Sequence, residues 1–212
     1  MTTLRVLMSA AILAVTFVTV QAGGWAIVTV EELPERIVAA ENVPLRFSVR
    51  QHGQRLVAGL QPEIEFTFGA RSGRVAAEPM DRTGYYTAVI RLPEPGLWRL
   101  TIHSGFGTSK LTLNPIEVVA AADPSRARSE DAKRGADLFV AKGCASCHYH
   151  AAAAVRSQVP VAGDLTAKRY PEAFLAKLLA DPSVLQYRQW TMPNLDLKQP
   201  EIAALTAFIN KE

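Results

Sequence analysis

Two cysteines, three residues apart and followed directly by a histidine, constrain this chain most strongly. Cys144 and Cys147 are the only cysteines among its 212 residues, and His148 completes a C-x-x-C-H segment. A scaffold built on disulfides is excluded, because two thiols form at most one bridge. The spacing is typical of c-type haem attachment, since each thiol can bond one vinyl group and the next residue offers a nitrogen to iron. We therefore expect one covalently bound haem c, with His148 as an axial ligand to its iron.

Three other interpretations use the same residues. A thioredoxin-like redox pair also has C-x-x-C spacing, but it belongs to a βαβ pattern that the surrounding sequence lacks. A zinc site could use both cysteines with His148 and His150, although four ligands within seven residues leave little room for a tetrahedral shell. A structural disulfide between Cys144 and Cys147 is the simplest alternative. The helical context and the expected export favour haem attachment over all three.

A second axial ligand is expected from beyond the haem motif. Met192 is the only methionine after Cys147, and it stands beside Pro193 between two predicted helices. The proline fixes the backbone next to the methionine, which suits a side chain that must reach iron. Ligation by methionine and histidine raises the reduction potential and fills the sixth position, which argues against oxygen or peroxide chemistry. We expect Met192 to be the distal ligand.

Residues 23–118 are predicted to form a β domain. Apolar and polar residues alternate with a period of two in three segments, which indicates strands with one buried face. These segments lie at residues 45–50, 63–68 and 98–103, and further strands are predicted for Trp25–Val30, Tyr86–Arg91 and Lys110–Val118. About seven short strands at this spacing predict an immunoglobulin-like sandwich. Its acidic and basic residues balance, and with a net charge of +3 for the whole chain nucleic-acid binding is not expected.

The remainder of the chain has a helical pattern. Residues 119–128 carry no periodicity, include Pro124 and are interpreted as a linker. Residues 129–212 are predicted to be all-helical, with a first helix capped by Ser129 and two more entered at Pro171 and Pro200. The fold class expected is therefore multidomain, an all-β sandwich followed by an all-α domain.

The N-terminus is interpreted as a targeting segment. Residues 1–22 contain Arg5 followed by an apolar stretch, and Val20-Gln21-Ala22 provides a cleavage site for signal peptidase after Ala22. The alternative is a retained membrane anchor, but an apolar run of about 15 residues is shorter than the roughly 20 that a span needs. In both cases the rest of the chain is expected in a bacterial periplasm.

Residues 129–212 resemble a small class I cytochrome c. The resemblance rests on Gly135 and Phe139 ahead of the C-x-x-C-H motif, the Met192-Pro193 loop, and the apolar positions of the last helix. It implies that the first and last helices cross, with Gly135 and Phe139 meeting Leu205 and Phe208. The family commonly has a Gly-Pro pair whose carbonyl holds the proton of the proximal histidine. Here Val161-Ala162-Gly163-Asp164-Leu165 stands in that place, so the acceptor for His148 is unassigned.

The first half resembles exported β-sandwich modules of the YtkA/FixH-like type. The stretch that carries this resemblance runs from Gly84 to Thr87 and from Pro93 to Leu100. It implies a sandwich and little about chemistry. A blue-copper site is excluded, because it needs a cysteine thiolate and both cysteines are already used. A copper site of thioether and imidazole ligands at His52, Met80 and His103 stays open, although strand parity places His103 on the outer face of its sheet. Solvated histidines are the simpler expectation, and His150 is expected at the surface or near a haem propionate.

The function expected is that of an exported mono-haem electron carrier and not of an enzyme. Its partners are expected to be redox proteins such as a respiratory complex or an oxidase, with the sandwich as a docking module. Membrane association through an uncleaved N-terminus stays open. A basic haem edge is predicted from five residues: Lys142, Arg156, Lys168, Arg169 and Lys198. The alternative is an accessory or assembly protein of a terminal oxidase whose β module binds a partner or copper, and a peroxidase-like haem enzyme would need an open sixth site.

Overall fold

A computed structural model describes residues 24–121, 131–153, 161–184 and 192–211. The predicted signal segment at residues 1–22 and most of the predicted linker lie outside the described residues, as do Ser129 and Arg156. Within the described ranges, no helix is long and apolar enough to cross a membrane.

The first half of the described chain is built from strands. They are β1 (Ala26–Val30), β2 (Arg36–Val38), β3 (Val43–Gln51), β4 (Arg55–Leu56), β5 (Glu63–Phe68), β6 (Arg71–Ala76), β7 (Glu78–Pro79), β8 (Tyr85–Ile90), β9 (Gly96–His103), β10 (Lys110–Thr112) and β11 (Ile116–Val119). The expected all-β half is confirmed, and the period-two segments at residues 45–50, 63–68 and 98–103 lie in β3, β5 and β9. The predicted strand Lys110–Val118 is wrong as one element: it divides around Asn114 and Pro115, since a proline has no N–H to donate to a ladder.

The strands form two sheets. One has the order β1-β3-β8-β7, with β4 on the edge of β3, and the other has the order β2-β11-β9-β5-β6, with β10 beside β9. Pairing is antiparallel except between β2 and β11. The inward faces meet in one apolar core, where Phe47 and Tyr86 of the first sheet and Trp98 and Leu100 of the second are almost fully buried. The period of two predicted this inward face correctly.

One end of the outer face of the first sheet is also buried, and this differs from the expectation that the polar face is solvated. Thr29, Ser48, Arg50 and Tyr85 lie at this end and are at most 7% exposed, whereas Val89 at the other end of the same face is 53% exposed. Alternation distinguishes two faces but cannot say whether the polar one meets water. Here the helical half covers one end of the polar face, and the Thr29 hydroxyl donates to the Lys142 carbonyl at 3.3 Å.

The second half of the described chain contains three α-helices: α1 (Asp131–Ala141), α2 (Glu172–Ala180) and α3 (Gln199–Ile209). The expected all-helical half is confirmed, with Pro171 at the N-cap of α2 and Pro200 in the first turn of α3. In α2, Leu175 and Leu179 are buried, whereas Phe174 is 42% exposed.

Helices α1 and α3 cross at Gly135. A Cβ at this position would overlap the Ala204 carbonyl oxygen and the Phe208 side chain. Phe139 lies against Phe208 with ring centroids 5.3 Å apart, and Leu205 is fully buried in the same core. The glycine therefore permits the close approach of two helix backbones that places α1, and the C-x-x-C-H segment after it, against the last helix.

Lys142 is buried between the two halves, so its expected place on a basic surface is wrong. Its side chain is 2% exposed, because the ammonium pairs with the Glu201 carboxylate at 2.8 Å and donates to the Glu31 carbonyl at 2.7 Å. Arg134 adds a bond to the Leu33 carbonyl at 2.6 Å. The β half and the helical half thus share a polar interface as well as an apolar core.

Replacing Gly135 by alanine is expected to destabilise the chain by roughly 1–3 kcal/mol, because the new methyl group forces α1 and α3 apart. The free energy of unfolding from a urea titration measures this. Gly163→Ala is the matched control, since a Cβ added at Gly163 would have no atom within 4 Å. Equal effects of the two substitutions would contradict the packing argument.

Replacing Lys142 by methionine is expected to cost about 3 kcal/mol of unfolding free energy, because the partly buried Glu201 carboxylate loses its counter-charge. Chemical denaturation followed by tryptophan fluorescence measures the loss. Adding Glu201→Gln to the variant is expected to recover part of it. Lys133→Met, on the exposed face of α1, is the control and should change stability little. An unchanged midpoint for Lys142→Met would refute the buried pairing.

Candidate haem site

The candidate site begins where α1 ends. Gly143 adopts a left-handed backbone with φ of 81°, and a short 3-10 turn follows over Cys144–Ser146. The Cys147 and His148 amides both donate to the Cys144 carbonyl, at 3.1 and 2.9 Å. Gly143 also lies against β1, where a Cβ would overlap the Ile27 side chain. The motif is therefore a compact turn fixed between α1 and the β half.

Both cysteines are free thiols in the structure and are half-buried. Burial raises the pKa of the Cys144 thiol to about 12 and also raises the pKa of Cys147. Burial therefore favours the protonated form of both thiols, and the two sulfurs are not bonded to each other. The structural disulfide considered from the sequence is not formed.

The imidazole of His148 is oriented by a main-chain acceptor. Its Nδ1 lies 3.1 Å from the Gly163 carbonyl oxygen, and a carbonyl only accepts, so Nδ1 carries the proton and Nε2 keeps its lone pair. Burial lowers the pKa of His148, partly opposed by this hydrogen bond, which favours the neutral ring that binds metals. The acceptor left unassigned by the sequence is thus Gly163.

The segment that carries Gly163 is held against the motif by its own backbone. The Ala162 amide donates to the Cys147 carbonyl at 3.2 Å, and the Leu165 amide donates to the Tyr149 carbonyl at 2.8 Å. Asp164 accepts from the Thr166 amide at 2.7 Å, and bonds from Thr166 lower the pKa of its carboxyl. Such partners tune the basicity of a ligating histidine, and sequence reasoning missed this one because a carbonyl has no side-chain identity.

Met192 lies at the start of the segment that leads into α3. It is half-buried and packs against the same hydrophobic core as Cys144. Two residues later the Asn194 side chain accepts from the Asp196 amide at 2.9 Å, and Asp196 has a φ of 52°. The residues just before Met192 lie outside the described ranges.

His150 is buried, which corrects the expectation of a surface position. It is 3% exposed because its ring packs between Phe139 and Phe208, with centroids 6.1 and 4.5 Å away. Its Nδ1 accepts from the Ala152 amide at 3.2 Å. In the described part of the chain no three His, Cys, Asp or Glu side chains form a metal-site cluster, so the zinc set considered from the sequence is not assembled.

The two histidines of the β half, His52 and His103, both lie outside its apolar core. His103 Nε2 lies 2.9 Å from Glu65 on the outer face of the second sheet, as strand parity predicted. His52 is exposed in a turn and contacts the edge of Trp25, with ring centroids 5.8 Å apart. Of the predicted basic edge, Lys198 pairs with Glu32, and Lys168 and Arg169 are exposed.

The free thiols and the free Nε2 of His148 suit haem c. A histidine whose Nδ1 donates to a carbonyl presents Nε2 to iron, and two free thiols three residues apart can form the two thioether bonds. The chain's own residues thus match the group that the motif predicts.

Comparison with solved structures gives weak likenesses. The chain is similar to superoxide reductase (neelaredoxin) from Ignicoccus hospitalis, with a TM-score of 0.31 and 23% identity over 44% of this chain and 80% of that one. It is also similar to Cwp6 from Clostridium difficile, with a TM-score of 0.30 and 12% identity over 59% of this chain and 25% of that one. Likenesses at these scores carry no argument about fold or function.

No curated protein matches the chain. A family model does: residues 132–211 match cytochrome c. The match covers the three helices and the C-x-x-C-H turn, and it agrees with the crossing of α1 and α3 at Gly135. The C-terminal part of this chain is therefore a cytochrome c domain, whose family carries covalently bound haem c.

Proposed function

We propose that this chain is an exported mono-haem carrier of single electrons. Cys144 and Cys147 would hold the haem through thioether bonds, and His148 and Met192 would be the axial ligands. The hydrogen bond from His148 Nδ1 to the Gly163 carbonyl is the observation that carries the proposal, because it leaves Nε2 available to iron. When bound, the haem supplies a one-electron iron couple.

The protein's own residues perform three tasks in this proposal. Gly163 fixes the orientation of the His148 ring and keeps the proton on Nδ1. The crossing of α1 and α3 excludes water from one side of the site, since Phe139 and Phe208 are 1% exposed. A methionine in the sixth position would close the iron to small substrates, which supports an electron carrier over a haem enzyme.

The proposal also covers the cellular location of the chain, its domain bounds and the surface that docks its partner. The targeting segment at residues 1–22 supports a periplasmic location, whether it is cleaved or kept as an anchor. We propose domains at residues 23–118 and 129–212 joined by residues 119–128. Because the helical half covers one end of the outer face of the first sheet, the second sheet would provide the docking surface for a respiratory partner. Its outer face carries pairs such as Arg74 with Glu63 and His103 with Glu65.

Replacing both Cys144 and Cys147 by alanine is expected to abolish covalent haem, because no other thiol exists in the chain. Mass spectrometry of the denatured, exported protein measures the added mass. Ser146→Ala, between the two cysteines, is the control that should keep both bonds. Covalent haem in the double variant would refute the attachment.

Replacing Met192 by alanine is expected to remove the methionine-to-iron charge-transfer band of the oxidised protein and to lower the reduction potential. The potential shift should be a sizeable part of the roughly 0.8 V range that axial ligands set across haem proteins. Absorption spectroscopy and redox titration measure both. Met80→Ala, which changes the methionine of the β half, should leave band and potential unchanged. A band that survives Met192→Ala would contradict the ligand assignment.

The carrier role itself is tested by stopped-flow electron exchange between the full chain and a soluble c-type cytochrome or an oxidase. Fast exchange supports the carrier. Slow exchange combined with tight copper binding to the same chain would instead identify an accessory or assembly protein of a terminal oxidase.

A further inference from the structure

The segment after Met192 is tied to the β half by two ion pairs. Arg82, in the turn before β8, pairs with the Asp196 carboxylate at 3.1 Å, and its guanidinium lies 3.9 Å from the centre of the Tyr85 ring. Two residues further, the Lys198 ammonium pairs with Glu32, in the turn after β1. Both contacts join the segment that carries Met192 to residues more than 110 positions away in the chain.

The turn after β1, which carries Glu32, also contacts the residues that precede the C-x-x-C-H motif. The Glu31 carbonyl accepts from the Lys142 ammonium, two residues before Cys144. Glu201 then connects the two ends, because one carboxylate oxygen pairs with Lys142 and the other accepts from the Lys198 amide at 3.0 Å. The turn at residues 31–32 is therefore bonded both to the helix end that leads to His148 and to the segment that follows Met192.

We propose that Glu32 and Arg82 of the β half, with Asp196 and Lys198 of the helical half, form a clamp that positions the Met192 segment. The clamp holds this segment against the end of α1, which leads into the C-x-x-C-H turn. It thereby determines how readily another ligand would displace the Met192 sulfur from its proposed axial position. These four are positioning residues that act through the backbone of residues 192–198. The inference rests on the proposed function, in which Met192 is an axial ligand.

The charge arrangement supports a clamp that persists at neutral pH. The hydrogen bond from Lys198 lowers the pKa of Glu32, and the bond to Glu32 raises the pKa of Lys198, so both stay ionised. All four side chains are more than half exposed, so salt screens their pairing and each pair contributes modestly. Weak contacts of this kind hold a short segment such as residues 192–198 in place and still let it open locally while the rest of the domain stays folded.

Displacement of Met192 by imidazole in the oxidised holoprotein tests the clamp. Loss of the charge-transfer band against imidazole concentration gives an apparent dissociation constant. We expect Arg82→Gln and Asp196→Asn each to lower it about two- to fivefold. The double variant should have the same constant as Arg82→Gln alone, because that substitution already removes the Asp196 pair together with the longer 3.7 Å pairing of Arg82 with Glu31. Raising sodium chloride to about 1 M should lower the wild-type constant towards the variant value and change the variants little.

Arg74→Gln is the matched control. Arg74 is similarly exposed and pairs with Glu63 and Glu65 on the second sheet, away from the Met192 segment. It should leave the imidazole constant and its salt dependence unchanged. Glu32→Gln provides an independent test of the second pair, with a shift in the same direction.

The outcomes separate the clamp from the ligand assignment. A wild-type protein with no methionine band overturns Met192 as a ligand and the clamp with it. If the wild-type protein shows the band, the clamp alone is overturned when the three single variants and the double variant have the wild-type imidazole constant within error. The clamp is also overturned if Arg74→Gln shifts the imidazole constant as much as Arg82→Gln does, because the effect would then follow the net charge of the protein.

Discussion

A lysine ammonium enclosed between the two halves of the molecule organises much of what surrounds it. Lys142 would be costly to bury alone, and it is accommodated because Glu201 supplies a counter-charge and the Glu31 carbonyl a further acceptor. Lys142 and its two partners lie just after α1, in the first turn of α3 and in the turn after β1. Satisfying one charge therefore fixes the relative positions of three elements, and the haem motif begins two residues later.

The orientation of His148 depends on main-chain groups more than on side chains. Gly163 offers its carbonyl because the segment around it pairs with the backbone of Cys147 and Tyr149. The family's usual proline is thus replaced by a short parallel contact between Tyr149 and Asp164. Any residue that keeps this backbone path can present the same carbonyl to His148.

Sequence patterns predicted those parts of the fold and site that depend on side-chain identity. The period of two placed Trp98 and Leu100 in the core, and the C-x-x-C-H spacing singled out residues that the structure brings together in one compact turn. The same reasoning failed for Arg50 and Lys142, because a charged residue is expected in water until a covering surface is known. It failed for His150 for a related reason: an aromatic slot between Phe139 and Phe208 exists only after α1 and α3 have crossed.

The covered end of the outer face of the first sheet limits how the β half could be joined to another protein. Ile27 and Tyr85 are buried there although they lie outside the sandwich core. A graft of residues 24–121 onto an unrelated cytochrome would expose this apolar and cationic face unless the recipient supplied a matching surface. A viable chimera must therefore exchange both the β half and the helical surface that covers this face.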